Sequence, residues 1–152
     1  MAKNTIKLKK YLDIIEEMVA NAAITPGMLV EEMSTGKVRV HTNVGQNAIP
    51  MFALEDELQG NGIDDDYAAD DVVQVWVAQR GEQVYALLAN GESVAIGDFL
   101  ESNGDGYLKK WTADSAGVVE YPQSIVAQAL EALDLTGSSG EETTYRLQVR
   151  VI

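Results

Sequence analysis

The sequence contains no cysteine, a single histidine, three prolines and few aromatic residues. Without cysteine there is no disulfide, no thiolate metal site and no cysteine nucleophile, a composition that fits a reducing compartment. No stretch approaches about 18 consecutive apolar residues, so no helical membrane span is expected. Basic residues are scarce too: 11 Lys and Arg face 24 Asp and Glu, for a net charge of −13. Such an acidic body repels phosphate backbones, so it is not expected to bind nucleic acid directly. The basic charge gathers at one end, where Lys3, Lys7, Lys9 and Lys10 precede the first acid, Asp13. Asp13, Glu16 and Glu17 then interrupt what would be the apolar stretch of a signal peptide.

A chain of 152 residues suits one domain and can bury about 68–70% of its unfolded surface. Residues 6–20 (IKLKKYLDIIEEMVA) place Leu8, Leu12, Ile15 and Val19 at 4-3-4 spacing, with Tyr11, Ile14 and Met18 beside them. That spacing predicts an amphipathic helix. Residues 1–23 therefore read as an N-terminal arm, helical or extended, ahead of a domain over 24–152. With a basic tip and an apolar stripe, the arm is a candidate partner-docking element through Lys3, Lys7, Leu8, Lys10, Tyr11, Leu12 and Ile15. Packing of the same helix on its own domain is the alternative.

After Thr25-Pro26-Gly27 short β-type runs follow, separated by turn residues. They are Met28–Glu32, Lys37–His41, Asn47–Leu54, Val72–Ala78, Gln83–Leu88, Gly97–Glu101, Tyr107–Trp111 and Ser124–Leu130, with a polar loop at 135–142. The last residues alternate Tyr145, Leu147, Val149 and Val151 with Arg146, Gln148 and Arg150, the period of a half-buried strand. Many short strands with frequent turns mean an all-β barrel or sandwich. IVAQALEAL (125–133) could be helical by propensity alone, but an internal echo favours strand. TPGMLVEEMSTGKVRVHT (25–42) matches AIGDFLESNGDGYLKKWT (95–112) at Gly27/Gly97, Glu31/Glu101, Gly36/Gly106 and Thr42/Thr112. Ala53-Leu54-Glu55 recurs as Ala129-Leu130-Glu131. A repeat of this kind is a fold-level signal, and it aligns Ile125–Leu130 with the apolar run Ile49–Leu54.

Candidate chemistry is sparse. Glu101, Asn103, Asp105 and Gly106 imitate part of a calcium loop, but Thr112 stands where a bidentate glutamate is needed. The echo keeps the glycine as Gly36 and drops the carboxylate, so Asn103–Gly106 reads as a hairpin turn. Residues 55–71 hold eight acids and no base. They read as a solvated loop, with a weak cation site at a symmetric contact as the alternative. His41 occupies the echo position of Trp111 and reads as a strand side chain. There is no G-x-S-x-G elbow, P-loop or dinucleotide fingerprint. No catalytic, cofactor or metal residue is assigned, and no enzyme activity is expected. A hydrolase built on paired carboxylates is the minor alternative.

PMFALE (50–55), YALLANG (85–91) and VAIGDFLE (94–101), in this order within the chain from about Ile24 onward, carry a resemblance. The sequence resembles the capsid decoration (head-stabilising, cement) proteins of tailed bacteriophages, similar in kind to the lambda-like head decoration family. The resemblance implies a small β-tulip or β-clip-like fold and a homotrimer on the exterior of the expanded capsid. It implies the major capsid protein as partner, a place in the virion after assembly in the host cytoplasm, and an arm that engages the coat. Another β-barrel module of a phage particle, structural or ligand-binding, is the second reading.

Overall fold

The computed structural model describes residues 3–113, 121–137 and 145–152. It is all-β, with thirteen strands and no α-helix among the described residues. The strands are β1 (Lys7–Lys9), β2 (Ile15–Val19), β3 (Val30–Glu32), β4 (Val38–Val40), β5 (Met51–Ala53), β6 (Val72–Val77), β7 (Gln83–Leu87), β8 (Ser93–Val94), β9 (Phe99–Ser102), β10 (Leu108–Lys110), β11 (Ala127–Ala129), β12 (Leu133–Asp134) and β13 (Arg146–Val151). One sheet runs β1-β7-β13-β11-β9-β10 and another runs β2-β6-β5; β3 pairs with β4 and β8 with β12. The polar loop expected at 135–142 lies outside the described residues from 138 onward.

The helix expected over 6–20 is overturned: the segment forms β1 and β2, which pair antiparallel with β7 and β6. None of Leu8, Leu12, Ile15 and Val19 is fully buried. The residues that reach the core are Ile6, Met18 and Ala20. The local preference of IEEMV for helix is real but small, and an isolated helix of this length is marginal in water. Pairing with the β-prone VVQVWV run satisfies the backbone and buries Met18. An edge strand also leaves Glu16 and Glu17 in water, so their charges cost little there.

The backbone hydrogen bonds run the same course twice. In one half β5 pairs with β6 as Met51↔Val77, Phe52↔Trp76 and Ala53↔Val75. In the other β11 pairs with β13 as Ala127↔Val151, Gln128↔Arg150 and Ala129↔Val149. Outside β6 lies β2, with Val19↔Val72; outside β13 lies β7, with Arg146↔Leu87. The Gly27 N–H donates to the Ala53 carbonyl at 2.8 Å, as Gly97 does to Ala129 at 2.9 Å. Both glycines have φ of 94°, a left-handed conformation that disfavours other residues. Parallel bridges Ala20↔Val38 and Leu88↔Leu108 complete the match. Residues 125–130 follow the strand reading, with β11 in the place that β5 holds in the first half.

Within the sheet β2-β6-β5, the β5–β6 pair sends core side chains to both faces. Met51, Ala53, Val73 and Val75 join Met18, Ile24, Val30, Val38 and Tyr67 in one core cluster. Phe52 and Trp76, one residue out of phase, point into the other cluster with Val84, Leu100, Leu108, Leu147 and Val149. The period of two thus divides one short sheet between two cores. The Tyr67 hydroxyl closes the smaller cluster by donating to the Leu54 carbonyl at 2.7 Å. Burial is the main cause that pushes its pKa up to about 12.

Tyr67→Phe removes one buried hydrogen bond while conserving shape. It is expected to lower stability by about 1 kcal/mol, read as a lower urea midpoint at unchanged slope. An unchanged midpoint would show that the bond contributes nothing.

Candidate interaction surface

Of the residues proposed for docking from sequence, Lys10, Tyr11, Leu12 and Ile15 are exposed, on strands and their link rather than on a helix. Residues 10–14 form the link between β1 and β2. There Tyr11 is 90% exposed, and Leu12 and Ile14 are also exposed. Ile15, in β2, is exposed as well, while Lys3, Lys7 and Leu8 are half-buried. The link is held from beneath by a buried carboxylate. Glu82 Oε1 accepts the N–H groups of Tyr11 and Leu12 at 2.7 and 2.8 Å, and its Oε2 accepts the Gln79 N–H at 2.6 Å. A second buried carboxylate, Glu55, accepts the Ile6 N–H at 3.1 Å. A backbone held this way presents its exposed apolar side chains at a lower ordering cost.

The cations around the link divide into two groups. Lys7 and Lys10 reach Asp13 at 3.1 and 2.5 Å. The Lys10 hydrogen bond is the largest influence on the Asp13 carboxyl, which lies below the usual carboxylate range. Lys9 and Arg80 have no ion-pair partner among the described residues. With Lys10, Tyr11, Gly81 and Glu82 they line a concavity of about 300 Å³. Arg80 and Glu82 escaped sequence reasoning because they lie far along the chain, in what reads locally as a turn. Deleting residues 1–23 would also remove Ile6, Met18 and Ala20 from the core, so point changes at the link are the informative probes.

The other candidates have structural roles. Several acids of 55–71 hold their own loop or tie it to the rest of the fold. Asp65 accepts the Gly62 N–H, Asp71 accepts the Ala68 N–H, and Asp70 pairs with Lys37 at 2.6 Å. Asp64 pairs with the buried Arg146 at 2.7 Å. Arg146 further donates to the carbonyls of Pro26 and Ile63, which ties this loop to β13. No group of three or more metal-binding side chains occurs among the described residues. Asn103–Gly106 is the β9–β10 turn, and Asp105 accepts from the Asn103 side chain and the Tyr107 N–H.

His41 sits among groups that look catalytic. Its Nδ1 lies 2.7 Å from Ser102 Oγ, and its Nε2 lies 3.1 Å from the Asn47 carbonyl and 3.7 Å from Glu31 Oε2. A carbonyl can only accept, so Nε2 carries a proton, while Nδ1 and the serine hydroxyl bond to each other. Ser102 is wholly buried and also accepts the Gly104 N–H at 3.1 Å. The hydroxyl thus has no surface to offer a substrate, and the group bonds the first hairpin to the second.

Among solved structures the fold is similar to the head fiber gp8.5 N base of bacteriophage phi29. The TM-score is 0.57 at 12% identity, covering 93% of this chain and 95% of that chain. No family model and no curated protein matches the sequence.

The ion pairs of the first hairpin give a pH-dependent signature. Burial raises the pKa of Glu31, but hydrogen bonds from Thr42 and Arg39 and the nearby His41 and Arg39 charges outweigh it, and the net shift is downward. A lowered folded-state pKa adds stability above the ordinary value of 4.5 and loses it as pH falls through the folded value. Glu31→Gln should therefore be less stable than the parent at neutral pH, with the gap narrowing below the ordinary value. Chemical denaturation at neutral pH and at about pH 3 checks this; a gap independent of pH would refute it.

Proposed function

We propose that this chain is a structural protein of a tailed-phage virion that attaches to the head and carries no catalytic duty. The observation that supports it most is the likeness to the phi29 head fiber base, which spans nearly all of both chains. In the finer reading the protein acts as a capsid decoration protein of the lambda-like kind. It binds the major capsid protein on the exterior of the expanded shell, as a homotrimer, and stabilises the coat lattice. Copies would be made in the host cytoplasm and end in the virion. A small interface repeated over a shell gains through multivalency, so each contact can be modest.

The docking element in this reading is the β1–β2 link. Tyr11, Leu12 and Ile14 supply a rigid apolar contact, and Lys9, Lys10 and Arg80 supply a basic rim to an otherwise acidic body. Lys3, Lys7, Leu8 and Ile15 flank it. Exposed aromatic anchors beside cations are the usual composition of energetic centres in interfaces.

Co-sedimentation with expanded, decoration-free capsids tests both levels. The wild-type chain is expected to pellet with the capsids and to saturate. Tyr11→Glu is expected to keep its β-type circular dichroism and to bind roughly tenfold or more weakly. No wild-type binding would sink the capsid reading. Equal binding by Tyr11→Glu would leave that reading standing and remove the link as its docking element.

A further inference from the structure

The two halves of the molecule treat the same strand edge differently. In the β7–β13 ladder the Val151 N–H donates to Glu82 and the Leu88 N–H to Tyr145. Even-numbered residues of β7 therefore face β13, and the N–H groups of Tyr85 and Leu87 face outward. Those outward groups are taken up: Tyr85 donates to the Ile6 carbonyl at 2.8 Å and Leu87 to the Gly27 carbonyl at 3.2 Å. The strand β1 lies along this edge, with Lys9 opposite Gln83 and Lys7 opposite Val84.

The ladder β2–β6 has the same register. Val77 donates to the Ile14 carbonyl and Ala20 to the Asp71 carbonyl, so even-numbered residues face β6. The main-chain groups of Ile15, Glu17 and Val19 point outward. In the sheet order β2 is an edge, and no strand among the described residues lies along it. Side chains on this face agree. Leu87 is 0% exposed beneath its cover, while Val19, its counterpart, is 37% exposed. Val72, which stands where Arg146 stands in the other half, is 48% exposed. By Ile15 lies a cavity of about 220 Å³, lined by Ile15, Leu54, Leu58 and Gln74, by Glu55, Asp56 and Glu57, and by Lys7.

We infer that the outer edge of β2 accepts an antiparallel strand from a partner protein, an extended segment that alternates lysine or arginine with apolar residues. The chemistry of the occupant follows from two observations. The strand that covers the matching edge of β7 within this chain reads Ile6-Lys7-Leu8-Lys9. The open edge is acidic on balance, with Glu16 and Glu17 on the strand and three carboxylates around the cavity against one cation, Lys7, which is paired with Asp13. A second copy fits poorly. Antiparallel pairing of β2 with β2 would set Glu17 against Glu17 in one register and Glu16 against Glu16 in the next, which opposes pairing. The copy's own β1 is already spent on its β7. Main-chain hydrogen bonds supply the attachment, and the cavity beside Ile15 selects an apolar side chain.

The probe is a synthetic peptide of residues 4–10 (NTIKLKK), added to the full chain and followed by amide NMR shifts and hydrogen exchange. The expected result is saturable shifts and slowed exchange centred on Glu17 and Val19, weakened by salt. A peptide with glutamate in place of its three lysines is expected to cause neither. Val19→Pro removes one outward donor without touching the bonds to β6, and should abolish the effect. Should that variant unfold, Glu16→Lys with Glu17→Lys serves instead, and should weaken binding at least tenfold. Shifts centred on β7, peptide binding that ignores both variants, or no binding would overturn the inference. So would protection of Glu17 and Val19 that rises with protein concentration alone, which would make a second copy the occupant. None of these outcomes depends on capsid binding through Tyr11, so the two proposals fail separately.

Discussion

The structure depends on a short strand pair, β5–β6, that feeds two cores at once. In β5 and β6 successive side chains point to opposite sides, and both sides are core: Met51, Ala53, Val73 and Val75 on one, Phe52 and Trp76 on the other. A shift of one residue in register would exchange the two sets and drive Phe52 and Trp76 into the smaller cluster. Correct pairing is therefore enforced from both faces at once. It also fixes where β2 lies, since β2 pairs with the outer edge of β6. The position of the β1–β2 link follows from that placement and from the hold of Glu82 beneath it.

Acidic residues serve as internal fasteners as well as surface charge. Glu55 and Glu82 are buried, and each accepts backbone N–H groups of the N-terminal segment. Each closes a contact between stretches about 50 to 70 residues apart, which the antiparallel ladders alone leave open. Asp64 does the same for the loop before β6 through Arg146. A buried guanidinium is tolerable only when its donors are met, and here two carbonyls and a carboxylate meet them.

Strands flanked on both sides were legible in sequence, either by a period of two or by a run of β-branched residues. Tyr145–Val151 alternates, and β13 is central in its sheet. VVQVWV reads as a strand and is one. Residues 125–130 needed more, because IVAQALEAL favours helix by propensity; its likeness to residues 49–54 carried the right answer. Residues 6–20 were misread for the complementary reason. The strand β2 buries only Met18, so no period of two is written in it, and Leu8, Leu12, Ile15 and Val19 fall by chance on helical spacing. Tyr11 and its neighbours are candidates from the chain alone, while Arg80 and Glu82 are not, since only folding brings them to the link.

Where the two halves diverge is more informative than where they agree. Shared features such as Gly27 and Gly97, or the paired bridges at Val38 and Leu108, are what the backbone needs to close the same ladder twice. The differences track what each half meets. Arg146 replaces Val72 in the half whose outer edge is sealed, and its guanidinium reaches the Pro26 carbonyl across that seam. Ile96, the counterpart of Pro26, is exposed because no second seam forms there. On this view β1 is a strand added to a doubled framework, and it seals one of two matching edges. The framework by itself specifies a strand-binding edge in each half, and the chain supplies an occupant for one.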